Sequence, residues 1–106
     1  MPWIILFLAG LLEICWAVGL KFADGFTNLR WSVFTLTAIV ASMALLAQAV
    51  RTLPLGTAYA VWTGIGAVGT AILGIVLLGE PRTTMRLIFI GLIIVGIVGL
   101  RFAGGE

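Results

Sequence analysis

Residues 2–20 read PWIILFLAGLLEICWAVGL, nineteen positions that carry one charged side chain, Glu13, and no proline after Pro2. A helix rises 1.5 Å per residue and needs roughly 20 residues to cross the hydrocarbon of a bilayer. This run is therefore the length of a transmembrane helix, and the rest of the chain repeats it. Further apolar runs occupy residues 31–50, 53–79 and 87–100, and charged residues otherwise gather at 21–30, at Arg51, at 80–86 and at the tail. With 62% hydrophobic and 9% charged residues over 106 positions, the chain has more apolar side chain than a soluble domain of that size can bury.

The first three runs are long enough to span. The fourth has 14 uncharged residues, about 21 Å of helix, and spans if Arg86 and Arg101 extend toward the headgroups or the bilayer thins. Backbone groups in hydrocarbon must bond within their own element, which leaves helices as the reading of all four runs. The expected fold is an all-α integral membrane protein, a single domain over residues 1–106. Its helices are expected at about 2–21, 31–50, 54–79 and 84–102. Asp24-Gly25 and Asn28 supply turn formers for the first loop, and Pro54 stands where the third helix can begin.

Several function classes fall away. There is no histidine, no phosphate-cradling loop and a single cysteine, so the residues offer no metal site, no redox pair and no enzymatic machinery. Cys15 reads as a small apolar helix residue. The net charge of +2 comes from loop Lys and Arg without a basic cluster, which excludes nucleic acid as a partner. Basic residues before residues 2–20 and a small-residue cleavage site after them are both missing, so the first run is expected to be retained.

Orientation is nearly balanced. Loops one and three carry Lys21, Arg30, Arg82 and Arg86, whereas the opposite side carries Arg51, Arg101 and the amino terminus. Four charges against three agree equally with a chain that inserts both ways up, pairing as an inverted repeat, and with a count that carries no information.

Glu13 lies about ten residues into the first run, near 15 Å of rise and close to the bilayer midplane. A carboxyl there is costly to ionise and should face a bundle interior or a water-filled cavity, where it can serve a proton and a cation in turn. The competing reading is a protonated acid that bonds across helices for structure alone. Gly10, Glu13 and Trp16 recur at a spacing of three, with Ala17 beyond, so an acid and an indole share one face. Trp16 can donate its N–H to the carboxylate.

Helix three repeats the theme. Tyr59, Trp62, Gly66 and Gly69 step by three, four and three along one stripe. Aromatic faces attract cations, indole most strongly. Interfacial anchoring suits Trp3 and Trp31 at run ends, but Trp16 and Trp62 lie well inside theirs and are assigned to a site. Gly64 and Gly66 next to Trp62 permit either close packing or a hinge. In helix two, Ser42 lies at the depth of Glu13 and can complete the carboxylate's hydrogen bonds, or bond a carbonyl of its own helix. Gly91, Gly96 and Gly99 offer small surfaces on helix four for a second helix.

The segments WIIL (3–6), GLLE (10–13), WAVGLK (16–21) and, above all, PLGTAYAVWTGIG (54–66) resemble the small multidrug resistance family. The likeness extends over nearly the whole chain, and Trp16 with Ser42 resembles its guanidinium exporter subtype. The resemblance implies a multi-pass protein of the cell's inner (plasma) membrane. It implies an antiparallel homodimer of four-helix subunits that exports guanidinium by alternating access, with protons as coupling ion and no cofactor.

Carried over by residue, Glu13 binds proton and substrate, and Gly10, Trp16, Ser42, Tyr59 and Trp62 surround it. Gly64 and Gly66 match the helix-three bend. Gly96 matches one of two dimer-contact glycines, and Phe89 occupies the position of the other. Two rival functions remain: a quaternary-ammonium drug exporter of the same fold, and a non-transporting structural membrane subunit. Guanidinium can meet a carboxylate through paired N–H donors and lay its faces against rings, which Glu13, Trp16, Tyr59 and Trp62 supply together.

Overall fold

A computed structural model describes residues 1–103. It contains four helices, α1 (Pro2–Ala23), α2 (Leu29–Ala49), α3 (Leu55–Leu78) and α4 (Thr84–Ala103), each long and apolar enough to cross a membrane. Residues 104–106 of the expected domain lie outside the described residues.

The helix ends follow from local chemistry. Pro2 opens α1, where its missing N–H costs no hydrogen bond. Asp24 ends it in the left-handed region (φ 51°), and Gly25 and Phe26 continue with positive φ. The Ala23 carbonyl collects the N–H groups of Thr27 and Asn28, both at 3.0 Å. The α2 helix starts at Leu29, two residues before the expected position, because the Asn28 side chain caps it by accepting from the Trp31 N–H at 3.2 Å. Pro54 is the cap preceding α3, not its first residue. At the far end Gly79 (φ 68°) turns the chain, and the Gly74 carbonyl accepts from both the Gly79 and Glu80 N–H groups.

α1 is the central helix, packing along both α2 and α3, while α2 and α3 barely touch each other. The α1–α2 seam is built from small and hydroxylic residues: Ala9, Gly19 and Ala23 face a stripe of Ser32, Thr35, Ala38 and Ser42, all buried. Lipid is as apolar as leucine, so close backbone approach holds such helices together better than bulky side chains. Gly19 is required for that approach, since a Cβ there would strike the Thr35 hydroxyl.

On the α1–α3 seam the fit is reciprocal. Ile65 covers Gly10, where an added Cβ would lie 2.6 Å from its Cγ2, and Ile14 covers Gly69. α4 has no buried residue and packs on α3, with Ile97 and Ile93 over Gly64. It also meets α1 at the Arg101 guanidinium, 4.7 Å from the centre of a Trp3 ring.

Candidate cation site

Glu13 projects from α1 toward α3 and its carboxyl sits directly on Gly66. Any Cβ at residue 66 would strike that carboxyl. Glu13 is partly buried, and its Oε1 is shielded from solvent with no hydrogen-bond partner among the described residues. An acceptor held out of water without a partner is costly, and a carboxyl so placed calls for a proton or a cation. The Trp16 indole N–H, one turn along the same helix, is likewise shielded and unpartnered among the described residues. The expected Trp16-to-Glu13 hydrogen bond is therefore not made, which leaves a donor and an acceptor on neighbouring turns both unspent.

Ser42 belongs to a different arrangement. It is fully buried, and its hydroxyl donates to the Ala9 carbonyl at 2.7 Å while accepting from the Trp62 indole N–H at 3.0 Å. Thus Ser42 completes neither the Glu13 carboxyl nor its own helix. It ties α2 to α1 and orients Trp62, which is 6% exposed, from α3. Tyr59 lies one turn earlier on α3 with its ring 5.4 Å from that of Trp62, tilted by 50°, and is 54% exposed. The tyrosine thus stands at the open end of the aromatic pair, and the tryptophan is its fixed end.

The glycines divide by occupancy. Gly10 is buried beneath Ile65, so within one chain it is a packing contact and not the wall of an open cavity. Gly64 receives Ile97 and Gly66 receives Glu13, and α3 runs unbroken through both. A methyl group added at Gly96 would meet no described atom within 4 Å, and the same holds at Gly91 and Gly99, so all three leave open space beside α4.

Beyond Glu13, the α1–α3 seam opens into a cavity of about 380 Å³ that reaches loop three. Ala17 and Thr70 line its inner part, and Lys21, Gly74, Glu80 and Arg86 its outer part. The Thr70 hydroxyl is shielded and unpartnered among the described residues. Glu80 folds back so that its carboxylate covers Gly74. It meets Arg86 at 3.2 Å, and Arg86 also donates to the Pro81 carbonyl at 2.7 Å. With side chains 34% and 44% exposed, this ion pair falls in the class worth about 0.2–1 kcal/mol. Sequence reading had no purchase on Thr70, Ala9 or Ile65. The one available signal was periodicity, since Thr70 lies four residues after Gly66 as Ala17 lies four after Glu13.

Known proteins are similar to this chain in sequence. Residues 1–93 match the family model described as Small Multidrug Resistance protein. Over 103 residues, 97% of this chain, it is 61% identical to the "Guanidinium exporter" of Salmonella typhimurium, covering 98% of that protein. It is 62% identical to that of Yersinia pestis, covering 99%, and 63% identical to that of Escherichia coli strain K12, covering 98%. A match of this extent, on four membrane-spanning helices with one acid between them, places the chain in the Small Multidrug Resistance family.

Proposed function

We propose that this protein exports guanidinium ion across the cell's plasma membrane in exchange for protons, with Glu13 as the group both ligands share. The carrying observation is the Glu13 carboxyl seated on Gly66 with one oxygen shielded and unpartnered among the described residues. Relatives more than three-fifths identical bear the name guanidinium exporter, which supports the choice of cation. A planar cation held there has N–H donors for the carboxylate, and the rings of Trp62 and Tyr59 with the Trp16 indole supply faces to stack on. Proton and cation compete because a protonated carboxyl offers guanidinium no charge.

The working unit is an antiparallel homodimer. The uncovered α4 and the exposed Tyr59 support this reading, since both leave surfaces for a second copy. Alternating access then needs α3 to flex, and Gly64 and Gly66 are its bend.

The test is uptake of guanidinium into proteoliposomes driven by a proton gradient, together with proton release when guanidinium is added to purified protein. Wild type should do both, and Glu13→Gln should do neither while remaining folded. Undiminished uptake by Glu13→Gln rejects the reading. Wild-type binding without proton release reduces Glu13 to a structural group.

A further inference from the structure

The cavity at loop three contains a guanidinium already: the head group of Arg86, held by the Glu80 carboxylate at 3.2 Å. On this ground, and resting on the reading of guanidinium as the transported ion, we propose that Glu80 is an outer binding site. There the free cation exchanges with the Arg86 side chain on its way to or from Glu13.

Three features of the chain carry the inference. The first is continuity. Ala17 and Thr70 wall the inner part of the cavity, each four residues beyond a member of the Glu13–Gly66 pair, about 6 Å along its helix. The cavity thus runs from one helical turn short of the membrane-embedded carboxyl to the end of the bundle. The Thr70 hydroxyl, shielded and unpartnered among the described residues, supplies a polar stop between the two carboxylates.

The second is aim. The Glu80 N–H is bound to the Gly74 carbonyl at 3.1 Å, and its carboxylate lies directly over Gly74, where a Cβ would meet it. The backbone turn after α3 therefore sets Glu80 at the mouth of the cavity, with its side chain still 44% exposed to solvent.

The third is charge. Lys21 and Arg86 both line the mouth, so it holds two side-chain cations against one carboxylate. An added cation is disfavoured there, but a substituted one is not. When free guanidinium takes the carboxylate, the partly exposed Arg86 head group swings outward into solvent, and the local charge balance is unchanged. A quaternary ammonium ion has no N–H to replace those that Arg86 withdraws, so the site favours donors of the guanidinium type.

The test follows the Arg86 side chain by ¹⁵N resonance in full-length Glu13→Gln protein as guanidinium chloride is added. We expect a saturable shift that tetramethylammonium chloride at equal concentration does not reproduce and that the added substitution Glu80→Gln removes. Absence of a shift, an equal shift from tetramethylammonium, or persistence in the double variant overturns the outer site.

Proteoliposome uptake with Glu13 intact is the second measurement. Glu80→Gln should raise the KM for guanidinium about two- to fivefold, the range expected from loss of a partly exposed charge contact, and Glu80→Asp should restore part of it. An unaltered KM also overturns the outer site. Wild-type uptake separates the two claims, because a wild type that moves no guanidinium refutes the transport function, whereas normal wild-type uptake with an unresponsive Glu80 refutes the outer site alone.

Discussion

The Trp62 indole N–H donates to the Ser42 hydroxyl at 3.0 Å, and that hydroxyl hands its own hydrogen to the Ala9 carbonyl at 2.7 Å. Three helices are joined by two hydrogen bonds, in a chain whose α2 and α3 otherwise scarcely meet. The orientation of Trp62 therefore depends on a serine on another helix. The aromatic wall of the proposed site is held through its indole N–H, a bond that does not use the ring face.

Replacing Ser42 by alanine should strand the Trp62 N–H in a buried position, at a cost of about 1–3 kcal/mol. Thermal unfolding in detergent measures the loss, and Ser42→Thr should recover part of it by restoring the hydroxyl. A Ser42→Ala protein as stable as wild type would mean that Trp62 finds another acceptor.

Trp62→Phe keeps a ring but drops the donor, whereas Trp62→Ala drops both. Guanidinium affinity should fall by about 0.5–2 kcal/mol in the alanine variant, the range for a cation over an aromatic face, and by less in the phenylalanine variant. Equal affinities in all three proteins would remove the ring from the binding site.

Gly66→Ala places a methyl group against the Glu13 carboxyl. The expected result is a loss of about 1–3 kcal/mol of stability through overpacking, with guanidinium uptake reduced more than in any exposed glycine variant. Gly56→Ala, where nothing lies within 4 Å, is the matched control and should be neutral or slightly stabilising.

If proton and guanidinium share Glu13, the apparent guanidinium affinity must rise with pH. The limit is about tenfold per pH unit while the carboxyl is protonated in the free protein, and the slope flattens once it is not. Binding titrations at stepped pH give this slope directly. A flat profile, or one that falls with pH, excludes exchange at a single carboxyl.

Thr35 offers a test of packing alone. It is fully buried, and its hydroxyl has no described partner. Thr35→Val keeps the shape and removes the unsatisfied group, so stability should be unchanged or higher by about 1 kcal/mol. A marked drop in unfolding temperature would show that this hydroxyl bonds something in the assembled protein.

The spans were legible because hydrocarbon permits few backbone solutions: a run such as 53–79, apolar and uncharged, has no alternative to a helix. Glu13 stood out for the same reason, as a charged residue at a depth where others are excluded. Its neighbours were harder to read. Ser42 shares the depth of Glu13 but bonds the Ala9 backbone, and every residue carries such a carbonyl, so composition cannot mark the one that is used. The family resemblance implies that Gly10 lines the cavity, yet Ile65 from α3 covers it. Gly66 was legible as part of an α3 stripe, but its occupant depends on how α1 and α3 are rotated, which spacing within one helix does not encode. The cavity at loop three escaped sequence reading because it needs Glu80 turned back across Gly74, a consequence of the Gly79 turn.

α4 packs its backbone on α3, touches α1 through Arg101 on Trp3, and has no buried residue. The subunit is thus a three-helix body with a fourth member laid against one side, and Glu13, Gly66, Ser42 and Trp62 all belong to the first three helices. Side chains added at Gly91, Gly96 or Gly99, which meet nothing within 4 Å, would extend the outer face of α4 without touching those four residues.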